Sequence, residues 1–234
     1  MKLVTVSGPP SSGKTSVLLK TIAHLENEGL KPGVIKFDCM TTYDDKLYEK
    51  NGIKVKVGLS GNLCPDHYFV SNIEDCVNWG LDNGFDFLIS ESAGLCNRCA
   101  PHIKEILAVC AIDNLSGVNT PRKIGPMLKT ADIVVITKGD IVSQAEREVF
   151  AFKVRQANPK AIILQVNGIT GQGTFDLSIH FKNGIDVAGL DGRKLRFSIP
   201  AALCSYCLGE TKIGVDYQRG NIKKIDLGEK ENAV

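Results

Sequence analysis

The loop at residues 8–15, which reads GPPSSGKT, constrains the fold of this chain more than any other feature. It matches GxxxxGK[ST], a loop whose backbone N–H groups surround nucleotide phosphates while the next helix adds its partial positive charge. An apolar run precedes the loop and a helical pattern follows it, as this function requires. We expect Lys14 at the β- and γ-phosphates and the Thr15 hydroxyl at Mg²⁺. The predicted phosphate site comprises Gly8, Ser11, Ser12, Gly13, Lys14, Thr15 and Ser16.

Short apolar runs alternate with longer helical stretches over residues 1–183. This alternation predicts an α/β fold of the P-loop NTPase type, with a mostly parallel sheet covered by helices on both faces. Candidate strands lie at 3–7, 34–37, 87–90, 106–112, 133–137 and 161–166, and candidate helices at 15–29, 73–83, 121–129, 143–158 and 174–183.

The pattern changes after residue 183. A strand at 194–199 and a hairpin formed by 212–217 and 221–227 are predicted there. We therefore expect two domains, a nucleotide-binding domain at 1–183 and a small β-rich C-terminal appendage at 184–234.

Composition narrows the functional class. The net charge of +2 is too small to indicate nucleic acid or a membrane surface as the main partner. The apolar N-terminal run is too short for a signal peptide, and no stretch is long enough to span a bilayer. We expect a cytoplasmic protein whose eight cysteines are mostly reduced, which favours metal binding over disulfides for clustered ones.

Two carboxylates follow apolar strands and are candidates for the magnesium and catalytic site. Glu91 ends the strand at 87–90, and Gly94 then allows the backbone to approach the γ-phosphate. Asp38 closes the second strand and is a candidate at the metal or the attacking water, with a turn cap as the alternative. The predicted Mg²⁺ ligands are thus Thr15, Asp38 and Glu91.

A second motif indicates which base is bound. The strand at 133–137 ends in the sequence TKGD, similar to the guanine motif N/T-K-x-D. In that motif the Asp carboxylate accepts hydrogen bonds that adenine cannot donate, so a mismatched base is rejected strongly. We assign Thr137, Lys138 and Asp140 to this site, with Asn167 and Gly168 in the last base-contacting loop.

At these motifs the chain resembles the nickel-delivery P-loop GTPases of urease and hydrogenase assembly. The resemblance covers about residues 1–180 and lies in 119–126 with 137–140 and in 170–173 (TGQG). It also includes the first switch of this family, the DxxTxxD spacing of Asp38, Thr41 and Asp44, and the second switch, ESAG at 91–94. It implies Mg²⁺·GTP binding, slow hydrolysis, a catalytic role for Asp44 and GTP-dependent homodimerisation. It also implies delivery of nickel to a client metalloenzyme or its assembly factors.

Three clusters of soft ligands are candidate transition-metal sites. Cys64 and His67, in the sequence CPDH, fall where the urease G protein carries a C-P-H nickel motif, with an Asp inserted here. The other two are CxxC pairs, Cys96 with Cys99 beside Gly94, and Cys204 with Cys207 in the appendage. Ni²⁺ or Zn²⁺ suits such ligands, and an iron–sulfur cluster is the alternative. The two pairs could form one four-thiolate site or pair across a dimer axis. Cys39, Cys76 and Cys110 are interpreted as buried core residues.

Three functions remain open from the sequence. The leading hypothesis is a GTP-driven metallochaperone. The second is a regulatory GTPase whose zinc or iron–sulfur site is structural and whose nucleotide state controls a partner metalloprotein. The third is a P-loop ATPase or small-molecule kinase.

Overall fold

The computed structural model describes residues 1–94, 99–196 and 210–228 of the chain. Its centre is a seven-stranded sheet in the order β3-β2-β4-β1-β5-β6-β7, in which every pair of neighbours is parallel. The strands are β1 Lys2–Ser7, β2 Pro32–Asp38, β3 Lys54–Leu59, β4 Phe87–Ser92, β5 Leu107–Asp113, β6 Ile133–Thr137 and β7 Ile162–Gln165. This confirms the predicted α/β fold.

Helices cover both faces of the sheet. One apolar cluster includes Leu18, Leu177 and Phe181 from α1 and α7, and two clusters on the other face include residues of α3, α5 and α6. Strand residues therefore alternate between the two cores, as a doubly covered sheet requires. The helices are α1 Lys14–Asn27, α2 Asp44–Lys50, α3 Pro65–Asp82, α4 Thr120–Lys123, α5 Pro126–Lys129, α6 Gln144–Ala157 and α7 Thr174–Lys182. Among the described residues, no helix is long and apolar enough to cross a membrane.

The structure adds two elements that the sequence did not predict and lengthens a third. Strand β3 is an edge strand beside β2, and its alternating pattern, KVKVGL, is half polar. The short helix α2 connects β2 to β3. Helix α3 begins at Pro65, eight residues before the predicted start at residue 73, because proline at the first helical position needs no hydrogen bond to its nitrogen.

The predicted helix at 121–129 was wrong as one element. It is divided into the single-turn helices α4 and α5. Gly125 between them has φ 59° and ψ −132°, a conformation that ends the first turn. Pro126 cannot donate to the preceding turn, so it starts a new helix instead.

The predicted C-terminal hairpin was also wrong. Residues 212–217 contain an isolated bridge to Lys194 and the 3₁₀ turn Val215–Tyr217, and residues 221–228 run without regular secondary structure. The Asn72 side chain on α3 takes the place of a partner strand. Its Nδ2 donates to the Lys223 carbonyl at 2.9 Å, and its Oδ1 accepts from the Ile225 N–H at 2.8 Å.

Residues after 184 share a core with the sheet. Val187, Leu190, Leu195, Ile213 and Ile225 are buried in the same cluster as residues of β1, β2 and α3. The division into domains at 183 and 184 stays a prediction. The predicted strand at 194–199 extends past the described residues, and its described part forms isolated bridges.

Candidate nucleotide and metal site

The loop at 8–15 connects β1 to α1 as predicted. Gly13 is in the left-handed region, with φ 84°, and Lys14 is the first residue of α1. The Lys14 ammonium donates to the carbonyl oxygens of Gly8 and Pro9, both at 2.9 Å. Burial lowers the pKa of Lys14 to about 8, although Glu91 opposes the shift. A buried cation at a helix N-terminus fits an anionic ligand such as a triphosphate.

A cleft of about 520 Å³ opens beside this loop. Predicted site residues that line it are Ser11, Gly13, Lys14, Thr15, Ser16, Asp38, Asp44, Glu91 and Lys138. Residues far apart in sequence meet here because β1, β2 and β4 are neighbours whose carboxyl ends share one edge of the sheet.

The predicted magnesium ligands come together at the end of β4. The Thr15 hydroxyl donates to Glu91 Oε1 at 2.8 Å. Asp38 lines the same cleft, and its Oδ1 accepts from the Cys39 N–H at 2.7 Å. A hydroxyl and carboxylates are the oxygen ligands that Mg²⁺ prefers, so this set fits that ion.

Two residues that sequence reasoning missed surround Glu91. The Lys36 ammonium lies 2.7 Å from Glu91 Oε1 and 2.6 Å from Asp44 Oδ2. The Tyr48 hydroxyl donates to Glu91 Oε2 at 2.7 Å. Burial opposes the charge on Lys36, but Glu91 and Asp44 outweigh it and raise its pKa. The sequence does contain one sign that Lys36 is buried, because it interrupts the apolar run at 34–37.

The second switch contacts the phosphate loop directly. Gly94 has φ +63°, and a Cβ there would lie 1.9 Å from the Gly8 carbonyl oxygen. Gly8 in turn packs on β5, where a Cβ would lie 2.0 Å from the Ala111 oxygen. Only glycine fits at either position, so the two backbones can touch.

The predicted base motif connects to the phosphate loop. Thr137 is buried and donates to the Ser12 carbonyl at 2.7 Å, so it braces the phosphate loop. The Lys138 ammonium donates to the Ser11 carbonyl at 2.7 Å. Asp140 is exposed in the 3₁₀ turn Gly139–Ile141.

The last predicted loop lies against α1. A Cβ on Gly168 would lie 2.9 Å from the Cβ of Ser16, so this loop contacts the start of the helix that follows the phosphate loop. The Asn167 Oδ1 accepts from the N–H groups of Ile169 and Thr170 at 2.8 and 3.0 Å. Asn167 therefore shapes this loop through its own side chain.

The CPDH segment begins helix α3. Cys64 occupies the N-cap position and His67 lies in the first turn, so both residues belong to one helix end. The His67 Nε2 lies 3.0 Å from the Asn221 carbonyl oxygen and therefore carries the hydrogen. Burial lowers the pKa of His67, which favours the neutral imidazole that binds metals.

Cys96, Cys204 and Cys207 lie outside the described residues, whereas Cys99 is described and buried. Over residues 1–94, 99–196 and 210–228, no group of three or more His, Cys, Asp or Glu side chains is arranged to hold a metal ion. Cys76 and Cys110 are buried in the core, while Cys39 is half-buried and donates to the Gly61 carbonyl at 3.4 Å.

Comparison with known families decides the assignment. The profile of the CobW/HypB/UreG nucleotide-binding domain matches residues 2–165. The chain belongs to the CobW/HypB/UreG family. This family assignment makes it a P-loop nucleotide-binding protein, and the match contains the phosphate loop, both switches and the TKGD motif.

Relatives cover most of the chain. An uncharacterised protein of Methanocaldococcus jannaschii is 51% identical over 97% of each sequence. The urease accessory protein UreG 2 of Methylorubrum populi is 30% identical, over 76% of this chain and 90% of its own.

Solved structures of CobW/HypB/UreG proteins share the fold. The hydrogenase maturation factor HypB of Archaeoglobus fulgidus aligns with a TM-score of 0.63 and 22% identity, over 78% of this chain and 89% of its own. HypB of Helicobacter pylori, solved in complex with nickel, aligns with a TM-score of 0.62 and 20% identity, over 78% and 86%.

Proposed function

We propose that the protein binds and slowly hydrolyses GTP, and that nucleotide state controls transfer of a transition metal to a client metalloenzyme or its assembly factors. The observation that carries the nucleotide part is the 2.8 Å contact between Thr15 Oγ1 and Glu91 Oε1. It unites a phosphate-loop hydroxyl with a carboxylate from the neighbouring strand, the pair that a Mg²⁺·triphosphate needs.

The roles within the site follow from this arrangement. Lys14 would contact the β- and γ-phosphates, and Thr15 and Glu91, with Asp38, would hold Mg²⁺. Bound Mg²⁺ would neutralise the charge that develops on the phosphate oxygens. Asp38 and Asp44, from the first switch, would orient the attacking water at the mouth of the cleft.

Selection of guanine is assigned to Asp140. Its neighbours Thr137 and Lys138 both donate to carbonyls of the phosphate loop, at 2.7 Å each. The base motif is therefore fixed relative to the phosphates, so that one ligand of nucleoside triphosphate size can contact both. An acidic side chain there accepts from guanine and finds no donor on adenine.

The metal part of the proposal rests on how two chain segments pair. Residues 102–104 run antiparallel to 194–196, through Lys104 N–H to Lys194 O and Arg196 N–H to His102 O, both at 2.9 Å. In an antiparallel pair, the residues before one segment and after the other leave from the same end. Cys96 and Cys99 precede the first segment, and Cys204 and Cys207 follow the second.

Arg196 strengthens this junction. Its guanidinium contacts both carboxylate oxygens of Asp132, at 2.7 and 2.6 Å, and donates to the Ile103 carbonyl at 3.0 Å. We therefore favour one four-thiolate site made by Cys96, Cys99, Cys204 and Cys207, suited to Zn²⁺ or an iron–sulfur cluster.

Cys64 and His67, at the start of α3, are proposed as a separate site for a transferable Ni²⁺.

The link between nucleotide and metal runs through Gly94. Its backbone packs on Gly8 of the phosphate loop, and Cys96 and Cys99 follow within five residues. Movement of the second switch on hydrolysis would displace these ligands. A GTP-dependent homodimer would present them to the client.

The test is metal affinity as a function of nucleotide. Protein loaded with GDP or with a non-hydrolysable GTP analogue is titrated with Ni²⁺ and Zn²⁺. We expect the two forms to differ by about tenfold or more, because a ligand shifts an equilibrium only through differential affinity. Equal affinities would remove metal transfer from the account.

A structural metal that does not exchange and does not respond to nucleotide would instead favour the regulatory GTPase. The proposed four-thiolate site supports this alternative, because closed thiolate sites are commonly structural. Elemental analysis after dialysis against a chelator distinguishes the two.

A further inference from the structure

Lys36 is a buried cation in the middle of the proposed magnesium site. It lies on β2, its side chain is 4% exposed, and its ammonium contacts Glu91 and Asp44 at 2.7 and 2.6 Å. Glu91 is fully buried and Asp44 is about one-third exposed. The positive charge of this buried lysine therefore neutralises negative charge on the two carboxylates that it contacts.

One carboxylate oxygen receives both contacts that matter. Glu91 Oε1 accepts from the Thr15 hydroxyl at 2.8 Å and from the Lys36 ammonium at 2.7 Å. Thr15 and Glu91 are the two residues that define the proposed Mg²⁺ position. The ammonium therefore contacts the same oxygen that the divalent cation would use.

The charges around the cleft balance without any added ion. Three lysines supply positive charges and three carboxylates supply negative ones, all six lining the cleft: Lys14, Lys36, Lys138, Asp38, Asp44 and Glu91. Removing the Lys36 charge would leave Glu91 buried against the hydroxyls of Thr15 and Tyr48. Such an uncompensated carboxylate is a strong ligand for a divalent cation.

We propose that Lys36 is an internal competitor for the magnesium site, which keeps divalent cations out of the cleft until a nucleotide brings one. The inference rests on the proposed function, in which Thr15 and Glu91 hold the ion. Lys36 is thus a positioning and specificity residue. It makes occupancy of the metal site conditional on the triphosphate, whose charge favours the exchange.

Helix α2 contacts the Lys36–Glu91 pair through two side chains. Asp44 Oδ2 lies 2.6 Å from the Lys36 ammonium, and the Tyr48 hydroxyl donates to Glu91 Oε2 at 2.7 Å. Exchange of Lys36 for a divalent cation at Glu91 therefore alters contacts of the first switch. The position of α2 would therefore depend on whether the metal is bound.

The test is binding of Mn²⁺, a hard cation that follows Mg²⁺ chemistry, to nucleotide-free protein, measured by the EPR signal of the unbound ion. We expect Lys36→Met to bind Mn²⁺ about tenfold tighter or more than wild type, since a close positive charge is removed. The matched control is Lys54→Met, which changes net charge equally at an exposed lysine on β3. We expect its Mn²⁺ affinity to equal that of wild type because distant surface charges are screened.

A double variant locates the gain. Lys36→Met combined with Glu91→Gln should lose the extra Mn²⁺ affinity. The proposal is overturned if Lys36→Met binds Mn²⁺ no more tightly than wild type, or if the double variant keeps the gain. If Lys36 had a purely structural role, Lys36→Met would have a lower unfolding temperature than wild type and the same Mn²⁺ affinity.

A second variant keeps the test decisive if Lys36→Met does not fold. Lys36→Gln keeps a hydrogen-bond donor, on a side chain one atom shorter, without the charge, and the same tighter Mn²⁺ binding is expected from it. Its absence contradicts the proposal equally. Parallel titration of wild type with GDP tests the proposed function separately from the role of Lys36. If wild type does not bind GDP, the proposed function is wrong, and the Mn²⁺ comparison still decides the role of Lys36.

Discussion

The phosphate cleft and the C-terminal segment at 184–228 are built in opposite ways. The cleft is formed by strand ends and loops whose backbones touch directly, as Gly94 touches Gly8. The described parts of the C-terminal segment, 184–196 and 210–228, have little regular structure and are held by side-chain contacts, chiefly those of Asn72 on α3 and that of the segment's own Arg196 with Asp132. A site defined by backbone tolerates no added atoms, whereas a segment held by side chains depends on each donor and acceptor.

The strictest test of the backbone contact is Gly94→Ala. Position 94 has φ +63°, and a new Cβ would clash with the Gly8 oxygen, so we expect a loss of about 3–4 kcal/mol in the free energy of unfolding. Gly84→Ala is the matched control, because Gly84 has φ +64° and nothing within 4 Å of the added atom. It should cost only about 1 kcal/mol. Equal losses in urea unfolding would show that the contact is unimportant.

Lys14→Ala tests the electrostatic half of the cleft. Loss of the buried ammonium should weaken nucleotide binding by about a hundredfold, or ~2.7 kcal/mol. Lys20→Ala, at an exposed position of α1, should bind like wild type. Calorimetric titration with GDP compares the three proteins, and unchanged affinity in Lys14→Ala would refute the phosphate-loop assignment.

Asn72→Ala tests the C-terminal segment. Three hydrogen bonds of this side chain, to Tyr68, Lys223 and Ile225, would be lost, and the free energy of unfolding should fall by about 2 kcal/mol. Hydrogen exchange should accelerate at 221–228 while GDP affinity stays constant. Asn83→Ala, at the half-buried C-cap of the same helix, is the control, because its side chain bonds Lys54 and Trp79 and not the C-terminal segment. Loss of GDP affinity in Asn72→Ala would mean that the two regions are coupled more closely than described.

His102 joins the two regions, and the effect that it predicts appears only when the pH is lowered. Its Nε2 lies 3.0 Å from Ser7 Oγ beside the phosphate loop, and its carbonyl accepts from Arg196 N–H. Burial, and then the nearby Arg196 charge, lower the pKa of His102 from 6.5 to about 3, although Asp132 opposes the shift. Between these values the unfolded chain binds a proton that the folded chain does not.

Stability should therefore fall as the pH is lowered from about 6.5 towards 3, by up to about 1.4 kcal/mol for each pH unit from this residue. His102→Gln should remove that slope from the free energy of unfolding measured across the window. An identical pH dependence in both proteins would show that His102 is not the neutral, buried group that the structure indicates.

The sequence predicted the residues that belong to short motifs or to strand ends, and it missed contacts of single residues outside them. The phosphate loop and TKGD motif could be identified because each is a short run whose function needs neighbouring residues. Lys36 and Glu91 are 55 residues apart, and Asn72 and Ile225 are 153 apart, so nothing in the sequence states that they meet. The hairpin prediction failed because a strand-like pattern at 221–227 cannot reveal that its partner is an asparagine on a helix.

The most direct test of the account is base selection by Asp140. GTP, ATP and XTP are titrated against wild type and Asp140→Asn. The account predicts that wild type prefers GTP and that Asp140→Asn loses GTP affinity and gains XTP affinity, because the amide complements the changed donor pattern of xanthine. Tight ATP binding with weak GTP binding in wild type, or a GTP affinity unaffected by the substitution, would contradict it.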